Sequence, residues 1–388
     1  MMPALLRRHA MGALAGCGAG LWAWSARVAP AQAAQAGLGD WPAWSRFKTQ
    51  FLRADGRVED PDSPRRHTVS EGQAYALFFA LVANDRPAFE RVLRWTEDNL
   101  CQGDLTAHLP AWQWGRQDNG QWGVIDSNPA SDADLWMVYA LGEAARLWNV
   151  RRYSALASLL GQRILREECA ELPGLGLTLL PGPKGFALGA GRWRLNASYC
   201  PPQVMAWMER NSTDNAAWAR LAESAQRLIV GSAPKGYAGD WTVYDSQRGF
   251  VPDLDGAEKG QGSYNAIRVY LWAGSLHPQA SGRAKLLRAL QPMAQRVRSS
   301  GEVPESIDTQ SGQTGVAAPP GFVAAMLPFL QAQQETTALQ QQRDRLQAQP
   351  LRDHAYYEQA LGLFALGWMD GFYRFAADGS LQARWSRP

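Results

Sequence analysis

Ala130-Ser131-Asp132-Ala133-Asp134 runs straight into the apolar, helix-spaced residues 135–148. Ser131 stands where an N-cap belongs, two carboxylates fall in the first turn, and apolar positions then recur three and four apart. The same grammar returns elsewhere. Ser70-Glu71-Gly72-Gln73 precedes residues 74–81, with Gln73 in the place of a capping-box partner. Gly262-Ser263-Tyr264-Asn265-Ala266-Ile267-Arg268 opens another helix, and Asn196-Ala197-Ser198-Tyr199 precedes a fourth. Between clusters of Gly, Pro, Asn and Asp, helical patterns fall at 43–53, 70–84, 86–99, 131–149, 151–168, 201–210, 214–230, 263–275, 281–299, 320–332, 335–348 and 355–368. Strand-like alternation is scarce. Two long loops, 100–130 and 231–262, are rich in Trp, Tyr, Gly and Asp. Loops of that length usually carry function.

In this list the four quoted starts open the second, fourth, sixth and eighth helices. In an up-and-down ring of helix pairs, all even-numbered helices run the same way, so their N-termini share one face. The expected fold is all-α, an (α/α)6 barrel of six inner and six outer helices with an open cleft, in one domain over residues 37–388. An α-solenoid would also use helix pairs, but no repeated sequence period is present.

The 388 residues are 46% hydrophobic and 19% charged, which excludes disorder for most of the chain. A formal charge of +3 gives no sign of nucleic-acid binding. No CxxC, HExxH or HxxxH spacing supports a metal site, and no phosphate-binding GxxxxGK[ST] is present. Neither a metal nor a cofactor is expected. The 17 Trp, 11 Tyr and 12 Phe invite a sugar-binding cleft. Arg7-Arg8, an apolar run over 10–24 and small-residue sites at 31–33 and 34–36 have the layout of a cleaved secretory signal spanning 1–36. Leu14-Ala15-Gly16-Cys17 offers a lipoprotein box as the alternative. No later apolar run is long enough to cross a bilayer. After cleavage, Cys101, Cys169 and Cys200 remain, enough for one disulfide and an odd thiol.

Each carboxylate at a helix start has an ordinary explanation, since Glu71, Asp132 and Asp134 all complement a helix dipole. Asn265 and Arg268, one turn apart, read in isolation as a cap and a surface cation. Taken together on one face, beside Trp112, Trp114 and Trp122, they suit glycoside hydrolysis. Indole faces stack on sugar rings and carboxyls do the acid–base work.

These three starts, with residues 80–85, 110–115, 201–203 and the tail over 356–385, resemble glycoside hydrolase family 8, in the branch encoded with bacterial cellulose synthase. The resemblance spans about residues 40 to 386. It implies the (α/α)6 barrel, an open substrate cleft, a β-1,4-glucan (cellulose) chain as partner, internal cleavage with inversion, no cofactor, a periplasmic or secreted location and a functional link to the cellulose synthase complex. By motif, Glu71 is the general acid and Asp132 holds and distorts the sugar at the cleavage point. Trp112, Trp114, Asp134, Tyr199, Tyr264 and Arg268 bind substrate. One position departs. Where the cellulase branch has the aspartate proposed as base, this chain has Asn265. Another carboxylate would then act, with Asp132, Asp253, Asp255 and Glu305 as candidates. The remaining alternatives are a weak or inactive glucan binder, a substituted variant, a relative acting on another β-1,4-glycan, and a purely structural helical scaffold.

Overall fold

In a computed structural model describing residues 40–387, twelve α-helices follow one another. They are α1 (Pro42–Phe51), α2 (Ser70–Val82), α3 (Arg86–Leu100), α4 (Ser131–Trp148), α5 (Arg151–Glu167), α6 (Pro202–Asn211), α7 (Asn215–Gly231), α8 (Ala266–Ser275), α9 (Arg283–Ser300), α10 (Pro320–Ala332), α11 (Thr336–Ala348) and α12 (Tyr356–Met369). All twelve expected helices are present, most with bounds shifted by no more than two residues. The export segment over 1–36 and Cys17 lie outside the described residues.

The chain folds as the expected (α/α)6 barrel. Helices that are apolar all round must be buried all round, and α2, α8, α10 and α12 come close to that, while α6 buries one face. In α2 every residue but Glu71 is buried, and in α8 all ten are. The inner neighbours pack in the order α2, α4, α6, α8, α10, α12, and each carries one outer helix. The outer helices α3, α5, α7 and α9 bury one face only. Two glycines allow inner helices to touch. A Cβ on Gly274 of α8 would lie 2.3 Å from the Phe329 backbone nitrogen in α10, and one on Gly321 of α10 would lie 2.7 Å from Glu358 Cα in α12.

Aromatic side chains fill the barrel axis. Phe364 of α12 meets Phe79 and Tyr75 of α2 with ring centroids 4.7 and 4.8 Å away, and Trp136 of α4 and Trp272 of α8 at 5.1 Å each. One ring thus joins α2, α4, α8 and α12. Truncation to Phe364→Ala leaves a cavity that four helices cannot close together, so it should cost about 3–5 kcal/mol of stability. Chemical denaturation of the two proteins measures that difference.

The two long loops are not irregular, which corrects the expectation. Thirteen short strands form five small antiparallel sheets among the described residues. β1 (Thr68–Val69), β2 (Ala111–Arg116) and β3 (Trp122–Pro129) make a three-stranded sheet, with Thr68 opposite Trp114. A hairpin of β4 (Cys169–Leu172) and β5 (Gly176–Leu179) follows α5. A four-stranded sheet combines β6 (Ala187–Gly189), β7 (Arg192–Leu195), β8 (Thr242–Asp245) and β9 (Gly249–Pro252). These strands lack the clean buried–exposed alternation that marks a half-buried strand; no residue of β3 is fully buried. Cys101, Cys169 and Cys200 are free thiols. No described helix is long and apolar enough to cross a membrane.

Candidate active site

Arg268 lies in the first turn of α8 and is 3% exposed. Its Nη1 donates to Tyr75 Oη and Asp132 Oδ2, each at 3.0 Å, and to Glu71 Oε2. Its Nη2 donates to Asn265 Oδ1 at 2.7 Å and to Ser198 Oγ at 3.1 Å. Ser198 belongs to a short 3-10 turn, Ala197–Tyr199, just before α6. Four inner-helix starts therefore converge on one guanidinium. That cluster places Glu71, Asp132, Asn265 and Arg268 together on the barrel face that the parity of the helix starts implies.

The helix starts are capped differently from what the sequence implies. Ser70 and Ser131 are helical residues whose hydroxyls find no partner, and the residues before them, Val69 and Ala130, make no side-chain cap. Gln73 does not close a capping box. Its Oε1 accepts from Val58 N at 2.6 Å and its Nε2 donates to Thr96 Oγ1 at 3.0 Å, tying α2 to α3 and the preceding loop. Asn265 makes no cap either. That duty falls to Asp240, whose Oδ1 accepts from the backbone N–H groups of Ser263, Asn265 and Ala266 at 2.8, 2.9 and 2.7 Å. The Asn265 side chain is left facing Arg268.

Asp132 is 2% exposed, and its Oδ1 accepts from Ala133 N at 2.9 Å. Burial pushes its pKa up to about 7; the Arg268 cation opposes this and the neighbouring Glu71 adds to it. The folded chain thus holds a proton on Asp132 across a window where the unfolded chain has lost it. Stability from this group is complete below the unfolded carboxylate pKa of about 4 and is lost as pH rises towards 7. Asp132→Asn removes that loss, so the melting temperature of the variant relative to the native chain should be higher at pH 8 than at pH 5. Parallel thermal melts at the two pH values test this, and a difference independent of pH would refute it.

Glu71 and Asp132 accept from the same nitrogen, so the bonded oxygens are at most about 6 Å apart. That is tighter than the roughly 6.5–9.5 Å of an inverting acid–base pair. Of the other carboxylates, Asp253 is tied to Arg194 Nε at 2.5 Å, and Asp255 is 88% exposed beside Arg192. Glu305 reaches the third motif. Its Oε1 accepts from Tyr264 Oη at 3.0 Å and its backbone oxygen accepts from Ser263 Oγ at 2.7 Å.

Two groups of aromatics neighbour the cluster, one paired with β1 at the start of α2 and one beside Tyr199. Trp114 and Trp122 stack with centroids 5.4 Å apart and planes 16° from parallel, and the Arg57 guanidinium lies over both. Trp112 is half-buried on the same strand β2. Trp241 lies 5.9 Å from Phe186 and 6.1 Å from Tyr199, with Arg194 over its face. Tyr264 is half exposed, and its backbone oxygen accepts from Tyr357 Oη. Asp134 does not join this group. It is fully buried against Glu168, because residues two apart on a helix face different ways. Tyr75, Ser198, Asp240 and Trp241 are absent from the sequence-based selection. Ser198 lies within a quoted helix start, but no local pattern marks Tyr75, Asp240 or Trp241.

Comparison with known proteins agrees with this geometry. The family described as Glycosyl hydrolases family 8 matches residues 19–371. An endoglucanase of Salmonella typhi is 45% identical over 352 residues, covering 89% of this chain and 92% of its own length. An endoglucanase of Xanthomonas axonopodis pv. citri is 45% identical over 380 residues, covering 97% and 96%. The crystal structure of an endo-1,4-D-glucanase from Vibrio fischeri ES114 superposes with a TM-score of 0.85 at 42% identity, covering 90% of this chain and all of that one.

Proposed function

The chain belongs to glycosyl hydrolase family 8, and on that footing we propose that it is an endo-β-1,4-glucanase acting on internal bonds of a cellulose-like chain. The observation that carries this reading is the convergence of Glu71, Asp132 and Asn265 on Arg268, with indoles near the starts of α2 and α6. Named relatives support the same substrate class.

In the proposed reaction the bond from the anomeric carbon to the bridging oxygen breaks, and that oxygen takes the proton of Glu71. A water attacks the opposite face, bonds to the anomeric carbon and gives up a proton to a base. Glu71 suits the acid because its side chain, at 20% exposure, is the most open of the carboxyls around Arg268. Asp132 and Arg268, both buried, suit holding the sugar ring at the cleavage point. Asn265 can orient a water but cannot take its proton. Glu305, hydrogen-bonded to Tyr264 at the start of the same motif, is the proposed acceptor. Trp112, Trp114, Tyr199 and Tyr264 are the proposed sugar-binding aromatics. The secretory layout of the first 36 residues supports action in the periplasm or outside the cell, and the resemblance to the branch encoded with cellulose synthase supports a part in cellulose synthesis and export.

One observation favours a second reading. An amide at position 265 suits a protein that binds glucan without cutting it. Carboxymethylcellulose viscosity separates the two. Viscosity that falls well before reducing ends accumulate marks an internal cutter, and saccharide-dependent quenching of Trp fluorescence without any fall marks a binder. Proton NMR of the first product formed reads the inversion.

A further inference from the structure

Asp134 and Glu168 stand behind the site, and the proposed reaction uses neither. Both are fully buried. Their carboxyls neighbour each other, and none of the four oxygens meets an N–H or O–H donor. The charged and titratable groups facing them are Asp132 on α4, Glu167 and Cys169 beside Glu168, and Cys101 at the end of α3. No cation is among them. Two bare carboxylates in such a place would be strongly unfavourable. A single shared proton removes one charge and supplies the hydrogen bond.

The pair sits at a joint. Glu168 ends α5, and its backbone oxygen accepts from Leu180 N at 2.7 Å. The next residue, Pro181, accepts from Ser131 N at 3.1 Å, at the first residue of α4. The β4–β5 hairpin thus leads from the end of α5 back to the start of α4, and the carboxyl pair bridges the same gap from side chain to side chain. Asp132 is the next residue after Ser131.

We propose that Asp134 and Glu168 form a buried, proton-sharing clamp that fixes the first turn of α4 and so positions Asp132 against Arg268 and Glu71. Glu168 is then a positioning residue. The proposal rests on the assignment of Asp132 to the reacting sugar, although the shared proton does not.

The test uses the full chain at neutral pH with carboxymethylcellulose. Glu168→Ala should lower kcat about 10–10²-fold, as a displaced catalytic-site group does, with KM within about twofold. Asp134→Asn combined with Glu168→Gln should restore most of kcat, because two facing amides keep a donor and an acceptor without needing the proton. Difference infrared spectra taken above the titration of Asp132 should show a protonated-carboxyl C=O band in the native chain that the double amide variant lacks. An unchanged band overturns the shared proton. A lost band with kcat unaffected in Glu168→Ala overturns the positioning role alone, and a double variant as slow as Glu168→Ala does the same. If Glu168→Ala fails to fold, the double variant decides both points through its band and its kcat.

Discussion

Glu71→Gln stops the cleavage of carboxymethylcellulose while leaving cello-oligosaccharide affinity within a few fold. A general acid contributes about 10²–10⁴-fold to rate, and the amide keeps the shape of the side chain without a transferable proton. Its carbonyl oxygen can still accept from Arg268 Nη1, so the cluster around the guanidinium persists. The loss should fall on kcat, because the proton moves only in the transition state. Turnover equal to the native rate would remove Glu71 from the mechanism. A parallel loss of oligosaccharide binding would instead make it a binding group.

The second large effect runs in the opposite direction. Asn265→Asp should raise kcat, by as much as about 10²-fold, since a carboxylate at the tip of α8 supplies the base that an amide cannot. Arg268 Nη2 already meets this side chain at 2.7 Å, and a carboxylate there would be held ionised and ready to accept a proton. The same exchange reveals the native base. In the native background Glu305→Gln should abolish most turnover, and in the Asn265→Asp background it should matter little. If Glu305→Gln is silent in both, the native base lies elsewhere. If Asn265→Asp does not raise turnover, the amide is not what limits the native rate.

Much of this arrangement was legible in the sequence. The spacing of apolar residues gave twelve helices, and the parity of the polar starts put Glu71, Asp132 and Asn265 at one end of the barrel. What the chain did not disclose has physical causes. Caps at α2 and α8 are absent or come from elsewhere in the chain, as Asp240 does from 23 residues before Ser263, and local patterns cannot see such a partner. The strands around the rim are short and their burial does not alternate, as in β8, where three successive residues are buried, so no period of two marks them. The resemblance implies substrate binding for Asp134 as for Asp132 in the same motif, yet two positions of helical rotation turn Asp134 into the interior against Glu168. The resemblance to the family carries over motif by motif, and here a motif contained one residue of each kind.

Asp240 has a consequence for the history of the site. Because a side chain from another segment secures the beginning of α8, position 265 carries no capping duty, and its contact with Arg268 suits an acid as well as an amide. An exchange between amide and acid there should leave the melting behaviour of the barrel nearly untouched. A lineage could therefore tune or silence its chemistry through one codon without risking its scaffold.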